Sequence, residues 1–163
     1  MAGCTESEST MSDDSLEQEM PGPSDGQQSG EEAVDALREA EMRYRTVADF
    51  AYDWEVWQAP DGSLRYVSPS CERITGYPAK AFVDNPHLTD ELILPQDRGA
   101  WLEHRRAIEA RKPQEIQFRI RRPDGGVRWI EHICQPVSDD QGVFLGYRAS
   151  NRDITERKRI GEE

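Results

Sequence analysis

Basic residues are missing from the first 35 positions of this 163-residue chain, which hold ten acidic ones, whereas residues 36–163 carry 22 acids against 20 bases. The formal charge of −12 therefore belongs to the amino-terminal tail, and the rest is close to neutral. A near-neutral body without an evident helix-turn-helix or basic helix lacks the electrostatic footprint of a nucleic-acid binder. Long apolar runs are missing too. Nothing approaches the roughly 18 residues of a membrane span, and the amino terminus has no signal-peptide apolar segment, so the expectation is a cytoplasmic protein with no membrane insertion. Cysteine is scarce: Cys4, Cys71 and Cys134 are odd in number and have no metal or redox spacing, which fits reduced structural thiols better than a disulfide or zinc set. There is no nucleotide-binding glycine loop, no kinase phosphorylation-helix signature and no nucleophile–base pair at an informative spacing, so no catalytic domain and no catalytic residue is expected.

What is present begins with a polar tail. Residues 1–30 are rich in Ser, Glu, Asp, Gly, Pro and Gln and nearly devoid of large apolar side chains, so burial cannot offset their ordering entropy. They are expected to be disordered, as a solubilising leader or as a docking segment for a basic partner, the former being the simpler reading. Ser29 to Glu32 has the spacing of a capping box and predicts an amphipathic helix over residues 31–47. Its apolar stripe, Val34, Leu37, Tyr44 and Ala48, is interrupted by Glu41. Such a narrow stripe pairs helices in a dimer or packs on the chain's own sheet, and both readings stay open.

From Phe50 the periodicity changes. Tyr52, Trp54 and Val56 alternate, Asp61-Gly62 makes a turn, and Ser63 to Ser68 returns, which predicts a hairpin. Gly76 and Pro78 break residues 69–82 into two short helices, and Asp97 to Lys112 offers Trp101, Leu102, Arg105 and Ile108 at helical spacing before Pro113. Three strands follow. Ile116, Phe118 and Ile120 alternate within 115–122; Val127 to Val137 contains Trp129, Ile130 and Ile133; Val143 to Asp153 is the last. The order predicts an α+β fold, a five-stranded antiparallel sheet with short helices and one longer helix on one face, plus an amino-terminal flanking helix. The final strand passes straight into Asp153-Ile-Thr155-Glu156, again with capping-box spacing, and the helix begun at 156–163 is too short to be stable without a packing partner. It reads as an output helix.

Asp61 to Ser70, Ile74-Thr-Gly76-Tyr77-Pro78, Gln96-Asp97-Arg98, Phe118 to Gly125, Arg128-Trp129-Ile130 and Asp153 to Lys158 occur together in an order and spacing that resemble a PAS domain with its carboxy-terminal PAC motif. The resemblance covers about Tyr44 to Lys158, which places the sensory domain at residues 48–155. It is closest in type to the sensory PAS domains of bacterial histidine kinases and diguanylate cyclases. What it implies is a regulatory module that relays a ligand- or partner-induced change through its sheet to flanking helices and to an effector outside this chain. A homodimer formed through those flanking helices is also implied. The alternatives are a ligand-free interaction or dimerisation module and a heme-based gas sensor.

The same resemblance places a small ligand, or only packed side chains, between sheet and helices. Trp54, Ile74, Phe82, Trp101, Phe118 and Ile120 are the candidates for lining that cleft, with simple core filling as the competing reading; Asp153, Thr155 and Glu156 are the candidate output junction. Light-sensing flavin relatives carry their reactive cysteine in an Asn-Cys-Arg-Phe-Leu-Gln context. Cys71 sits in Pro69-Ser-Cys-Glu-Arg-Ile74, so a flavin photoadduct is not expected. Heme sensors often use a histidine on the long helix. His104 lies there between Glu103 and Arg105 and reads as a solvated residue before it reads as an iron ligand, with His87 and His132 ranking below it; no metal is expected. No cofactor, or a small metabolite, is the expected content. Arg119, Arg121, Arg122 and Arg128 read as a solvated face balanced by Glu115 and Glu131, or as an anion-attracting one.

Overall fold

The computed structural model describes Gly3 and residues 25–161, which fall into two units, residues 1–39 and 40–163. The expected disorder of residues 1–24, Cys4 among them, lies outside the described residues apart from Gly3. Helix α1 spans Asp25–Asp49, beginning before the expected residue 31 and taking in residues 25–30. Ser29 therefore stands inside the helix and does not cap it. Gly30 costs a helix interior about 1 kcal/mol relative to alanine, but the long polar run around it carries no breaker strong enough to stop the hydrogen-bond ladder. Of the apolar stripe, Tyr44 packs edge-on against Tyr66 at 5.9 Å, whereas Val34 and Leu37 are exposed. Glu41 is paired with Arg45 one turn on.

The sheet consists of β1 (Trp54–Gln58), β2 (Leu64–Val67), β3 (Gln114–Arg121), β4 (Val127–Ser138) and β5 (Phe144–Asp153). Its order is β2-β1-β5-β4-β3 and every neighbouring pair is antiparallel, as expected from the two hairpins and the three-strand run. Residues 50–53 lie outside β1, so the first strand is shorter than its aromatic run suggested.

The helical segment packs over the inner face. It comprises α2 (Ser70–Thr75), α3 (Ala79–Asp84), α4 (Leu88–Leu92), a 3-10 turn at Pro95–Asp97 and α5 (Arg98–Ile108). Helix α2 stops because Gly76 takes a left-handed conformation (φ 84°) and donates its N–H to the Glu72 carbonyl at 2.8 Å. Helix α5 ends four residues before the expected Lys112. Its last carbonyls are satisfied by tight turns, including Arg111 N–H to Ile108 O at 2.8 Å with Arg111 at φ 53°. Sheet and helices share one core around Trp54, Ile74, Phe82, Ile93, Trp101, Phe118, Ile120 and Ile130.

Helix α6 (Thr155–Gly161) leaves directly from β5. Residues 162–163 of the expected output helix lie outside the described residues. No helix among the described residues is long and apolar enough to cross a membrane.

Candidate functional site

A cavity of about 480 Å³ lies between the inner face of the sheet and the helices. Strand alternation decides who faces it: Trp54, Val56 and Gln58 from β1, His132 and Cys134 from β4, and Tyr147, Ala149 and Asn151 from β5, each set stepping by two residues. Helix α5 closes it with Trp101, Arg105 and Ile108, which share one helical face, and α4 contributes Asp90. Asp90 ties the two helices together by accepting from Trp101 Nε1–H at 2.6 Å and from Arg105 Nη1 at 2.6 Å. The volume suits a small metabolite, the size class such pockets serve.

Of the six cleft candidates, Trp54 and Trp101 line this cavity. Ile74, Phe82, Phe118 and Ile120 do not; each is at most 1% exposed and belongs to the packed core. Phe82 lies behind Trp54 and Phe118 behind Trp101, both with ring centroids 5.0 Å apart, so they position the lining without touching the space.

The polar part of the wall was not anticipated. Asn151 is 2% exposed, donates from Nδ2 to the Trp54 carbonyl at 3.0 Å and presents Oδ1 to His132 Nδ1 at 2.6 Å. An amide oxygen only accepts, so His132 carries its proton on Nδ1 and its Nε2 lone pair points elsewhere. Within the described structure that Nε2 is buried without a partner, and so is Trp54 Nε1. Burial pushes His132 down to about 4, against a smaller opposing effect of the Asn151 bond, with His104 adding slightly to the depression. His104 is buried rather than solvated, which corrects the expectation drawn from its charged neighbours. Its ring stacks on Trp101 and its Nε2 lies 3.4 Å from Cys134 Sγ. Desolvation lowers its pKa as well and pushes the Cys134 thiol up to about 11.

These positions bear on the cofactors considered above. His104 is absent from the cavity wall and its free edge is turned to Cys134, so it does not fit the role of an axial ligand to heme in this cavity. Cys71 is fully buried in the core and its thiol points to the Tyr77 carbonyl at 3.4 Å, so it does not fit the role of a flavin-reactive cysteine.

At the exit from the sheet, Asp153 Oδ1 accepts from the Thr155 backbone N–H at 2.9 Å and from the Thr155 hydroxyl. The reciprocal half of the expected capping box is missing: Glu156 pairs with Arg159 at 3.6 Å. In its place Thr155 Oγ1 accepts from the Trp129 backbone N–H at 2.9 Å, Arg157 reaches Glu131 at 2.6 Å, and Lys158 lies over the Trp129 ring at 4.8 Å. The first turn of α6 is thus docked on β4, which supplies the packing partner a short helix needs. The arginine face is balanced differently from expectation: Arg119 pairs with Asp97, Arg122 with Asp124 and Arg128 with Asp153, while Glu131 serves Arg157.

The chain belongs to the PAS fold family, whose model matches residues 64–150, more than half of its length. The same fold is found in a domain of a putative light and redox sensing histidine kinase from Haloarcula marismortui and in the amino-terminal domain of a diguanylate cyclase with PAS/PAC sensor from Marinobacter aquaeolei. The uncharacterized protein y4lL of Sinorhizobium fredii is 33% identical over 132 residues, which are 79% of this chain and 16% of that protein. The methanogenesis regulatory histidine kinase FilI of Methanothrix harundinacea is 27% identical over 128 residues, 78% of this chain and 14% of the kinase. Among solved structures, a PAS domain from Colwellia psychrerythraea superposes with a TM-score of 0.60 at 24% identity, covering 72% of this chain and 99% of that one. The chain spans about a sixth of the length of these two curated relatives.

Proposed function

We propose that this module binds a small, partly polar metabolite in the cavity between β1, β4, β5 and α5 and converts its occupancy into a change at the β5–α6 junction. The observation that carries the reading is the buried, unpartnered Nε1–H of Trp54 on a side chain lining that cavity. A buried donor without an acceptor costs on the order of 1–3 kcal/mol, and a ligand oxygen or nitrogen placed there recovers it. The route to the exit is short. Asn151 lines the cavity, and Asp153, two residues on along β5, holds Thr155. A ligand that repositions Asn151 in one of two arrangements shifts the population of docked α6 by its differential affinity for them.

The recipient of that change is an effector domain or partner protein in continuity with α6, of histidine kinase or diguanylate cyclase type, with α1 pairing two copies through Val34 and Leu37. Packing of Ile74, Phe82, Phe118 and Ile120 into a filled core favours a second reading, in which the module serves partner binding alone. Mass spectrometry of small molecules released from the purified protein, followed by thermal-shift measurements with the compounds found, separates the two. On the first reading a bound compound raises the melting temperature, and Trp54→Phe weakens its binding about fivefold, the equivalent of one hydrogen bond of about 1 kcal/mol. Release of no compound, together with a melting temperature that no compound of a metabolite panel moves, supports the partner-binding reading instead.

A further inference from the structure

We propose that His104, His132 and Cys134 form a site for a single thiophilic transition-metal ion of the zinc(II) class, independent of whether the cavity also takes an organic ligand. One ligand atom from each of the three side chains lies within 4.8 Å of those of the other two, and all three residues are buried. His132 and Cys134 are brought together by the two-residue period of β4, and His104 descends on them from α5.

The second observation is the state of His132. The Trp54 carbonyl orients the Asn151 amide, the amide oxygen holds the proton on His132 Nδ1, and the remaining lone pair on Nε2 is buried without any donor facing it. Fixing the outer ring nitrogen by a hydrogen bond is the arrangement that metal-bound histidines show, because it sets tautomer and ring orientation together. An imidazole so prepared and then left unpaired in the interior lacks only an electron-pair acceptor.

The chemistry of the set selects the ion. Two imidazoles and one thiol suit zinc(II) or copper(I) and disfavour magnesium and calcium, which take oxygen ligands. Zn–N bonds of about 2.0–2.1 Å and a Zn–S bond of about 2.3 Å place tetrahedral ligand atoms about 3.3–3.6 Å apart. His104 Nε2 and Cys134 Sγ already stand at 3.4 Å, so closing the set needs side-chain rotation of the order of one ångström at its widest pair. Trp101, stacked on His104 at 5.3 Å, and Phe118, 6.0 Å from His132, pack against the cluster. His132 and Cys134 also border the cavity, which leaves the fourth coordination position accessible to water or a small ligand. On binding, the Cys134 S–H bond breaks, its proton leaves to solvent, and the sulfur lone pair forms the bond to the metal; no redox partner is involved.

The test uses the full chain, freed of metal by dialysis against a chelator and titrated with Co²⁺ as the spectroscopic probe. The expected result is one equivalent of cobalt in a tetrahedral site with a thiolate-to-cobalt charge-transfer band, displaced by Zn²⁺. Cys134→Ser abolishes that band, and His104→Ala lowers cobalt affinity at least tenfold. A weak octahedral spectrum, or a thiolate band that persists in Cys134→Ser, overturns the proposal. Alkylation of Cys134 in the unmutated chain, followed by peptide mass spectrometry, keeps the test independent of variant folding: Zn²⁺ slows it at least tenfold if the site exists, and an unchanged rate overturns it.

Discussion

The Thr155 hydroxyl accepts the backbone N–H of Trp129 at 2.9 Å while it donates to Asp153, so a single side chain joins β4, the end of β5 and the first turn of α6. Thr155→Val keeps the shape and removes the acceptor. The Trp129 N–H is left without its partner and Asp153 loses one donor, at a cost of about 1–2 kcal/mol. Asp153→Ala is expected to cost about 1 kcal/mol through loss of the cap. Hydrogen exchange of residues 129 and 154–160 is expected to accelerate in both variants while β3 is unchanged. Unaltered exchange in 154–160 would mean that Ile154 and Arg157 hold the junction by themselves.

Asp97 takes three bonds from one residue, the Arg119 backbone N–H at 2.8 Å, Nε at 2.9 Å and Nη2 at 2.7 Å. These bonds hold its carboxyl below the usual carboxylate range, outweighing the opposing effect of burial. A carboxylate whose folded pKa is depressed contributes stability in full above the unfolded value of about 3.9, and that contribution disappears as pH falls through the folded value. Urea midpoints measured from pH 7 to pH 2 should therefore fall more steeply on the acid side for the wild type than for Asp97→Asn. At pH 7 the variant should be less stable by about 1.5–3 kcal/mol, the range for hydrogen bonds to charged groups. Parallel acid limbs would show that other carboxylates carry the dependence.

The strands were readable because their side chains declare a face. Ile116, Phe118 and Ile120 alternate with Gln117 and Arg119, and Phe118 and Ile120 are completely buried. In β4 the same rule misleads. Ile133 is 48% exposed, whereas His132 and Cys134 point inward beside Ile130, so hydrophobicity by itself selects the wrong neighbour of Ile130. His104 was hidden by Glu103 and Arg105, although it stands one turn from Trp101 and shares its buried side. Helix α4 is too short for periodicity to register, with Thr89, Asp90 and Glu91 between its two apolar ends. The polar wall and the histidine beside it are a tertiary fact: His132 and Asn151 come from β4 and β5 and His104 from α5, and only the packing of helix on sheet brings them together.

Gly146 lies in β5 beside the end of β1. Its φ is 108°, and a Cβ there would stand 1.9 Å from the Gln58 carbonyl oxygen. That oxygen belongs to the backbone of the neighbouring strand, so no side-chain adjustment relieves the clash. Gly146→Ala combines overpacking with a disfavoured backbone conformation and is expected to cost about 3 kcal/mol or more. Chemical denaturation should show a lowered midpoint, and a change below 1 kcal/mol by the same measure would mean that the two strands separate there at little cost.

The chain from the Trp54 carbonyl through Asn151 to His132 fixes a proton, and the proton can be seen directly. Asn151 Nδ2 is a donor and finds the Trp54 carbonyl at 3.0 Å, which turns Oδ1 toward His132 at 2.6 Å. In long-range ¹H–¹⁵N correlation spectra of the metal-free protein at neutral pH, His132 should appear as the neutral tautomer protonated on Nδ1. A free histidine side chain prefers the Nε2–H tautomer, so the assignment is not a default outcome. Asn151→Leu removes acceptor and donor together. The Trp54 carbonyl and His132 Nδ1 are both left buried without these partners, a loss of about 2–5 kcal/mol for two unsatisfied groups. If the variant retains a sheet by circular dichroism, its His132 should no longer hold the Nδ1–H form exclusively. Finding the Nε2–H form in the unmutated protein would reverse the amide orientation and move the lone pair to Nδ1, where the Asn151 amide occupies it.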